Sequence, residues 1–196
     1  MNGTLIGGIL LAAGNSRRFG ADKRFATLDS GETLLLRSAE VLSQVVDACV
    51  LVVGQDDEPE RFRQLLPGWQ VVRAEHSSLG MGASLAAAVR TVPAEWRGCL
   101  VSLADKPFVL AETVRAVRNA LAEEIVVPTH GGEWGHPVAF PRRLFAAISD
   151  LKGDGEARQL IVAESARCHF IAVDDPGVLH DIDTPDDLRH PGSHPP

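Results

Sequence analysis

The first stretch of the chain that could carry chemistry follows an apolar run at residues 5–11, which predicts a buried strand. Gly14 and Gly20 allow turns that a Cβ would hinder, and consecutive backbone N–H groups in such a loop form a concavity that binds anions. Arg18 and Lys23 add positive charge to the same loop. The pattern favours a polyphosphate-binding loop, and the alternative is an ordinary strand-to-helix turn with solvated arginines.

This loop differs from two familiar phosphate-binding motifs. A Walker loop has four residues between its glycines and a lysine after the second, whereas five residues separate Gly14 from Gly20 here and Ala21 follows. The dinucleotide fingerprint G-x-G-x-x-G is interrupted by Asn15 and Ser16. The sequence therefore predicts a phosphate loop of another kind.

Composition limits the class of protein. A length of 196 residues fits one domain, expected at residues 1–189, with a disordered tail at residues 190–196. No apolar run approaches a membrane span, and the three cysteines form no Cys-x-x-Cys motif. The formal net charge of −7 argues against broad nucleic-acid binding. We expect a cytoplasmic enzyme, without nucleic-acid or membrane partners, that holds an anionic substrate with local cations.

Predicted strands and helices alternate along the chain. Strands are predicted at residues 5–11, 48–53, 69–74, 98–103, 124–127, 136–140, 168–173 and 178–182. Helices are predicted at residues 33–46, 82–92, 110–121, 141–149 and 156–164, with a short helix after Pro59 and a last one starting at Thr184. The alternation predicts an α/β domain with a mainly parallel sheet. Ligands of such sheets bind at the carboxyl ends of the strands.

Acidic residues follow two of these strands. Asp105 comes after a buried run, where its carboxylate could either bind Mg²⁺ together with substrate phosphates or cap the next helix. Asp181 and Asp183 flank Ile182, so they share one face of an extended segment. One of them could be a second metal ligand, and the alternative is a solvated acid pair. Neighbouring carboxylates repel each other, so a shared site would need a cation.

The residues 80–84, Gly-Met-Gly-Ala-Ser, nearly match the dinucleotide fingerprint. Leu85 occupies the third glycine position, and the motif follows the third predicted strand rather than the first. Dinucleotide binding remains an alternative, and Ser84 is a candidate to hydrogen-bond a base or ribose instead. Farther along, Gly135 and His136 follow a flexible loop, but Gly-x-Ser-x-Gly is absent, so nothing indicates a covalent nucleophile.

Six motifs lie in order along residues 10–188. They are Leu-Ala-Ala-Gly-x-Ser-x-Arg-x-Gly-x-x-Lys at residues 11–23, Gly-Met-Gly-Ala-Ser-Leu at 80–85, Leu-Ala-Asp-x-Pro at 103–107, Gly-His-Pro-Val at 135–138, Gly-Asp-x-x-Ala-Arg at 153–158 and Asp-Ile-Asp-Thr-Pro-x-Asp-Leu at 181–188. Together they resemble the molybdenum-cofactor nucleotidyltransferases, and within that family the cytidylyltransferases.

The resemblance implies a single-domain Rossmann-like nucleotidyltransferase fold with helices on both faces of the sheet. It implies Mg²⁺-dependent transfer of a nucleotide monophosphate from an NTP to a phosphorylated acceptor, with release of pyrophosphate. The catalytic roles would fall to Arg18 and Lys23 on the phosphates and to Asp105, which would bind the metal with Asp183. Nucleotide-binding positions would be Leu11, Ala12, Ala13, Gly14, Ser16, Arg18, Lys23, Gly80, Gly82 and Ser84, and acceptor-binding positions Gly135 and His136.

Substrate choice also follows from the resemblance. Leu-Ala-Ala-Gly resembles the cytidylyl branch, whereas guanylyltransferases tend to have Leu-Ala-Gly-Gly, so CTP is favoured over GTP with Ala13 narrowing the base pocket. The acceptor would be molybdopterin and the partner a molybdoenzyme or an accessory protein. Lys106 and the pair Glu133-Trp134 depart from the family pattern. Alternatives are guanylyl transfer, another phosphorylated acceptor, an NAD(P)- or flavin-linked oxidoreductase, and a non-catalytic cofactor-delivery protein.

Overall fold

An eight-stranded sheet runs through the protein in a computed structural model that describes residues 4–14 and 19–189. The strands are β1 (Leu5–Leu11), β2 (Ala48–Val53), β3 (Gln70–Arg73), β4 (Trp96–Leu103), β5 (Ile125–His130), β6 (Glu133–Trp134), β7 (Val138–Pro141) and β8 (Cys168–Ala172). They lie in the order β3-β2-β1-β4-β7-β5-β6, and β8 pairs with β5. The helices are α1 (Leu34–Ser43), α2 (Pro59–Leu65), α3 (Met81–Val89), α4 (Ala111–Ala120), α5 (Phe145–Ser149), α6 (Glu156–Ala163) and α7 (Pro185–Arg189).

The central strand β1 lies between β2 and β4 and is parallel to both. Its last residue, Leu11, pairs with Val52 on one side and with Leu103 on the other. The backbone N–H of Ala104 donates to the carbonyl of Leu11 over 3.0 Å. The three strands therefore end at the same edge of the sheet, and the loops that follow them are neighbours.

Helices cover both faces of the sheet, as the alternation of β1 requires. Leu10 belongs to a core cluster that includes Leu35 of α1 and Val117 of α4. Ile9 belongs to the cluster on the opposite face, with Leu85 of α3 and other residues of α5 and α6. The predicted α/β architecture with a mainly parallel sheet is confirmed.

The predicted strands differ from the structure by up to three residues in their bounds, and two of them differ in more than that. The strand predicted at residues 136–140 begins at Val138 and runs antiparallel to β4 and β5. The strand predicted at residues 178–182 is wrong: Pro176–Val178 forms a 3-10 helix, and residues 179–184 form no strand. The adjacent β5 already pairs with β6, β7 and β8, so it offers no edge to this segment. Its apolar residues Val178 and Ile182 are fully buried as single anchors instead.

No helix within the described part of the chain is long and apolar enough to cross a membrane. The tail predicted at residues 190–196 lies outside the described residues.

Candidate functional site

Lys23 lies in a short 3-10 helix, Lys23–Phe25, that begins after Asp22 near the end of the predicted phosphate loop. Its Nζ donates to Oδ2 of Asp105 over 2.8 Å, to Oδ1 of Asp183 over 3.1 Å and to the carbonyl of Ile182 over 2.8 Å. Burial by itself lowers the pKa of Lys23, but the two carboxylates, Asp105 more than Asp183, raise it above its usual value. The ammonium is therefore protonated and shared by both acids.

The two acids reach Lys23 from separate segments of the chain. Asp105 follows β4, and Asp183 follows the fully buried Ile182, whose N–H donates to the Asp105 carbonyl over 2.9 Å. Asp187 fixes the second segment, because its Oδ2 accepts the backbone N–H groups of Asp183 and Thr184. The predicted convergence of Asp105 and Asp183 is present. The cation that offsets their repulsion is Lys23.

The donor set around Asp105 fits a divalent cation. Its Oδ1 atom is buried and accepts no hydrogen bond from the described residues, and carboxylate oxygens are the ligands that Mg²⁺ prefers. Among the described residues, no three His, Cys, Asp or Glu side chains are grouped to hold a metal. A metal here would thus rely on two carboxylates and substrate oxygens, as Mg²⁺ commonly does.

Two cavities flank Ala13 and Gly14 at the end of β1. One, of about 360 Å³, lies towards α3, and among its lining residues are Leu11, Ala13, Gly14, Gly80, Ser84 and Asp105. The other, of about 460 Å³, lies towards the loop after β2, whose residues 54–57 line it. Five of the ten predicted nucleotide-binding residues therefore share one cavity. Arg18 and Ser16 lie outside the described residues.

Three predicted nucleotide-binding residues lie elsewhere or face inward. Ala12 is buried, and its carbonyl accepts a hydrogen bond from Arg24. Gly82 lines a third cavity, not the 360 Å³ cavity. Ser84 lines the 360 Å³ cavity but is 3% exposed, and its hydroxyl donates to the Gly80 carbonyl over 3.5 Å.

The third cavity, of about 260 Å³, has mainly apolar walls and contains the predicted acceptor residues. Gly135 and His136 line it together with Trp134 and Arg158, and the Arg158 guanidinium lies 5.0 Å from the Trp134 ring centre. Burial, with the charge of Lys106 adding to it, lowers the pKa of His136 to about 4. At neutral pH His136 is uncharged, so it offers hydrogen bonding to a ligand rather than positive charge.

The glycines at residues 80 and 82 serve close packing rather than a dinucleotide. A Cβ on Gly82 would overlap the Gly153 carbonyl, and one on Gly80 would overlap the Asp154 carboxylate. Oδ1 of Asp154 accepts the Met81 N–H at the start of α3 over 2.7 Å, where a pyrophosphate would have to bind. The structure gives the oxidoreductase alternative no support.

Sequence reasoning missed the ion pairs that two cations, Arg24 and Lys106, form beside the site. Arg24 forms ion pairs with Asp22 and Asp57. Lys106, only 5% exposed, lies with its Nζ 2.5 Å from Oδ1 of Asp181. Asp57 is 33 residues from Arg24 along the chain, so only the adjacency of β1 and β2 could have indicated the ion pair between Arg24 and Asp57.

Comparison with known proteins identifies the family of the chain. The sequence profile of the MobA-like NTP transferase domain matches residues 8–168. The purine catabolism protein PucB of Bacillus subtilis is 28% identical over 190 residues, covering 92% of each chain. A probable molybdenum cofactor guanylyltransferase of Mycobacterium marinum is 29% identical over 197 residues, covering 95% of this chain and 92% of that protein.

Solved structures agree with the sequence comparison. The crystal structure of Rv0371c from Mycobacterium tuberculosis has a TM-score of 0.83 at 31% identity, covering 96% of this chain and 97% of that one. A complex of Rv0371c with manganese has a TM-score of 0.78 at 30% identity, covering 95% and 97%. The profile spans most of the chain, and the fold of these solved structures agrees with it. The chain therefore belongs to the MobA-like NTP transferase family and is a nucleotidyltransferase.

Proposed function

We propose that the protein transfers the nucleoside monophosphate of GTP to a phosphate of a molybdopterin-type acceptor, with release of pyrophosphate. The observation that carries this proposal is the convergence of Lys23 and Asp183 on Asp105, which lines the cavity beside Gly14. A triphosphate in that cavity would meet a cation and two metal-binding carboxylates. The relatives named molybdenum cofactor guanylyltransferases support the choice of donor and acceptor.

The proposed reaction needs charge neutralisation more than it needs a protein nucleophile. An oxygen of the acceptor phosphate attacks the α-phosphorus in line, a new P–O bond forms, and the bond from the α-phosphorus to its bridging oxygen breaks. That oxygen leaves with pyrophosphate, which carries away the electron pair. The acceptor phosphate is already ionised at neutral pH, so no general base is required. Lys23, backbone N–H groups near Gly14 and, we propose, Arg18 reduce repulsion between the anions.

A divalent cation fits the same proposal. Asp105 and Asp183 would hold it, and when bound it supplies Lewis-acid stabilisation of the charge that develops on the phosphoryl oxygens. The buried Oδ1 of Asp105 supports this role. So does the manganese complex of Rv0371c. The ammonium of Lys23 is carried on a flexible four-carbon stem, so it can contact both the acids and an incoming phosphate.

CTP is the second candidate donor, and Ala13 is the observation that favours it. Ala13 lines both cavities that flank the loop, and its methyl group reduces the room that a glycine would leave. Whichever base is accepted, the third cavity suits the acceptor. This third cavity adjoins the cavity of about 360 Å³, because Leu11, Met81 and Asp154 line both.

Pyrophosphate release is the direct test. The purified protein is incubated with each of GTP, CTP, ATP and UTP, with molybdopterin, and with Mg²⁺ or Mn²⁺ after removal of metals. We expect release that depends on nucleotide, acceptor and metal, with GTP the best donor. Lys23→Met should lose most of the rate, whereas Lys152→Met, which changes an exposed lysine, should keep it. A clear preference for CTP would show that CTP, and not GTP, is the donor. No release of pyrophosphate with any NTP would refute the proposal.

A further inference from the structure

Arg24 has every hydrogen-bond donor of its side chain occupied. Nε donates to Oδ1 of Asp22 over 2.8 Å, and Nη2 donates to Asp22 and Asp57, each over 2.7 Å. Nη1 donates to Oδ2 of Asp57 over 2.6 Å and to the carbonyl of Ala12 over 2.9 Å. A guanidinium has five N–H donors, so no donor is left for a substrate. The side chain is 11% exposed, and its guanidinium carbon lies 4.9 Å from the ring centre of the buried Phe62.

These bonds join the ends of two strands to the turn that carries Lys23. The Ala12 carbonyl follows directly after β1. Asp57 also accepts the N–H of Gly54, which follows directly after β2, over 2.7 Å. Asp22 precedes the 3-10 helix and accepts the Arg24 backbone N–H as well. One guanidinium therefore fixes three backbone segments relative to each other.

The position of Arg24 determines where Lys23 points. Successive side chains of a 3-10 helix project about 120° apart. Holding Arg24 against Asp57 thus sets the rotation of the turn, and with it the direction of Lys23 towards Asp105 and Asp183. A loosened turn would still carry its positive charge but would deliver it to varying places. Displacements of about 1 Å can lower the rate of a reaction that depends on positioning by about 100-fold.

We propose that Arg24 is a positioning residue for nucleotidyl transfer, which with Asp22 and Asp57 holds Lys23 at the two acids. The kinetic part of this proposal rests on the proposed phosphate contact of Lys23. The structural part does not, because it concerns only where the Lys23 ammonium lies. The two parts are therefore tested separately.

The first test measures the reactivity of each lysine towards an amine-acylating reagent by mass spectrometry. The chain has three lysines, Lys23, Lys106 and Lys152. In the unaltered protein Lys23, 13% exposed, and Lys106, 5% exposed, should react slowly, and the exposed Lys152 quickly. Arg24→Gln should make Lys23 react severalfold faster while Lys106 stays protected. Arg63→Gln, at an exposed ion pair with Glu60, is the matched control and should change none of the three.

The second test measures transfer in a double-mutant cycle. Arg24→Gln should lower kcat/KM by about 10- to 100-fold, mostly through kcat. In a Lys23→Met background the same change should have little further effect, since there is no ammonium left to position. A merely structural role would instead lower the rate by the same factor in both backgrounds.

Each outcome decides the matter. Unchanged Lys23 reactivity in Arg24→Gln with a protected Lys106 overturns the proposal, and so do additive effects on transfer. If Lys106 also becomes reactive, the fold has opened, and Asp57→Asn then takes the place of Arg24→Gln in both tests. Asparagine keeps an acceptor oxygen for Gly54 while removing the charge that holds Arg24. Faster Lys23 labelling with no transfer activity in the unaltered protein would confirm the structural part and refute the proposed function alone.

Discussion

The ammonium of Lys23 and the carboxylate of Asp105 lie 2.8 Å apart, although the two residues are 82 positions apart in the sequence. This ion pair joins the 3-10 helix that lies between β1 and α1 to the segment that follows β4. Asp183 meets the same ammonium from a third segment. Two acids that would repel each other are thus held together by a lysine of the protein itself.

Replacing Lys23 by methionine should expose that repulsion. The variant keeps most of the side-chain volume but leaves two neighbouring carboxylates without their shared cation, which we expect to cost about 1–3 kcal/mol of folding free energy at neutral pH. Mg²⁺ should then raise the thermal midpoint of the variant more than that of the unaltered protein. Thermal unfolding with and without Mg²⁺ measures this, and equal responses would contradict it.

His136 should make stability depend on pH in mild acid. Burial and the nearby Lys106 lower its folded-state pKa to about 4, from 6.5. Between these values the unfolded chain binds the proton and the folded chain does not, so stability falls as the pH falls from 6.5 to 4. His136→Gln should flatten this part of the profile. Urea unfolding at pH 7 and 4.5 measures the loss of unfolding free energy on acidification, and His76→Gln, at an exposed position, is the control. If both variants changed this loss by the same amount, the prediction would be contradicted.

Asp154 should affect both substrates, because it caps α3 between their proposed cavities. Asp154→Ala removes the acceptor of the Met81 N–H, which we expect to cost about 1 kcal/mol. It should also raise KM for nucleotide and acceptor together, whereas Asp154→Asn, which keeps an acceptor oxygen, should stay close to the unaltered protein. Steady-state kinetics and thermal unfolding measure both effects. Asp150→Ala, at an exposed position nearby, serves as control, and a KM change for one substrate alone would refute the shared role.

The sequence was sufficient to predict that the candidate site lies at one edge of the sheet. Apolar runs of clear length identify β1 and β4, and parallel strands that end together bring Gly14 and Asp105 to the same edge. The direction of a strand is not encoded in its apolar pattern, so the antiparallel β7 was not foreseen. The strand at residues 178–182 was predicted wrongly for another reason. Buried apolar residues such as Ile182 give the same sequence pattern in a strand and in a loop that is anchored in the core.

Long-range pairing of charges was the part that sequence could not provide. A lysine at the end of a loop is expected to be exposed, yet Lys23 is only 13% exposed because two acids surround it. The cap of Met81 by Asp154 spans 73 residues. Each such pairing depends on which loops the sheet order makes adjacent, and many charged residues compete for each partner when only their types are known.

The last prediction concerns Asp105 and Asp183, the two acids that share Lys23. Asp105→Asn keeps the size of the side chain but removes the charge that pairs with Lys23 and would bind the metal, so we expect transfer to fall by about 100-fold or more. If no cation lay between the two carboxylates, this substitution would relieve their repulsion and raise the stability of the protein. Lys23 already lies between them, so we expect the stability of the variant to be unchanged or slightly lower.

Asp183→Asn should behave in the same way, and the double variant should be little slower than either single one, because both acids serve one cation. Asp29→Asn, on an exposed turn, is the control for a lost charge. Transfer rates at several Mg²⁺ concentrations and thermal midpoints without metal provide the measurements. Independent, multiplicative losses would mean that the two acids serve different steps. A gain in stability from Asp105→Asn would mean that Lys23 does not offset their repulsion in solution, and the ion pair seen here would then not be the resting arrangement of the site.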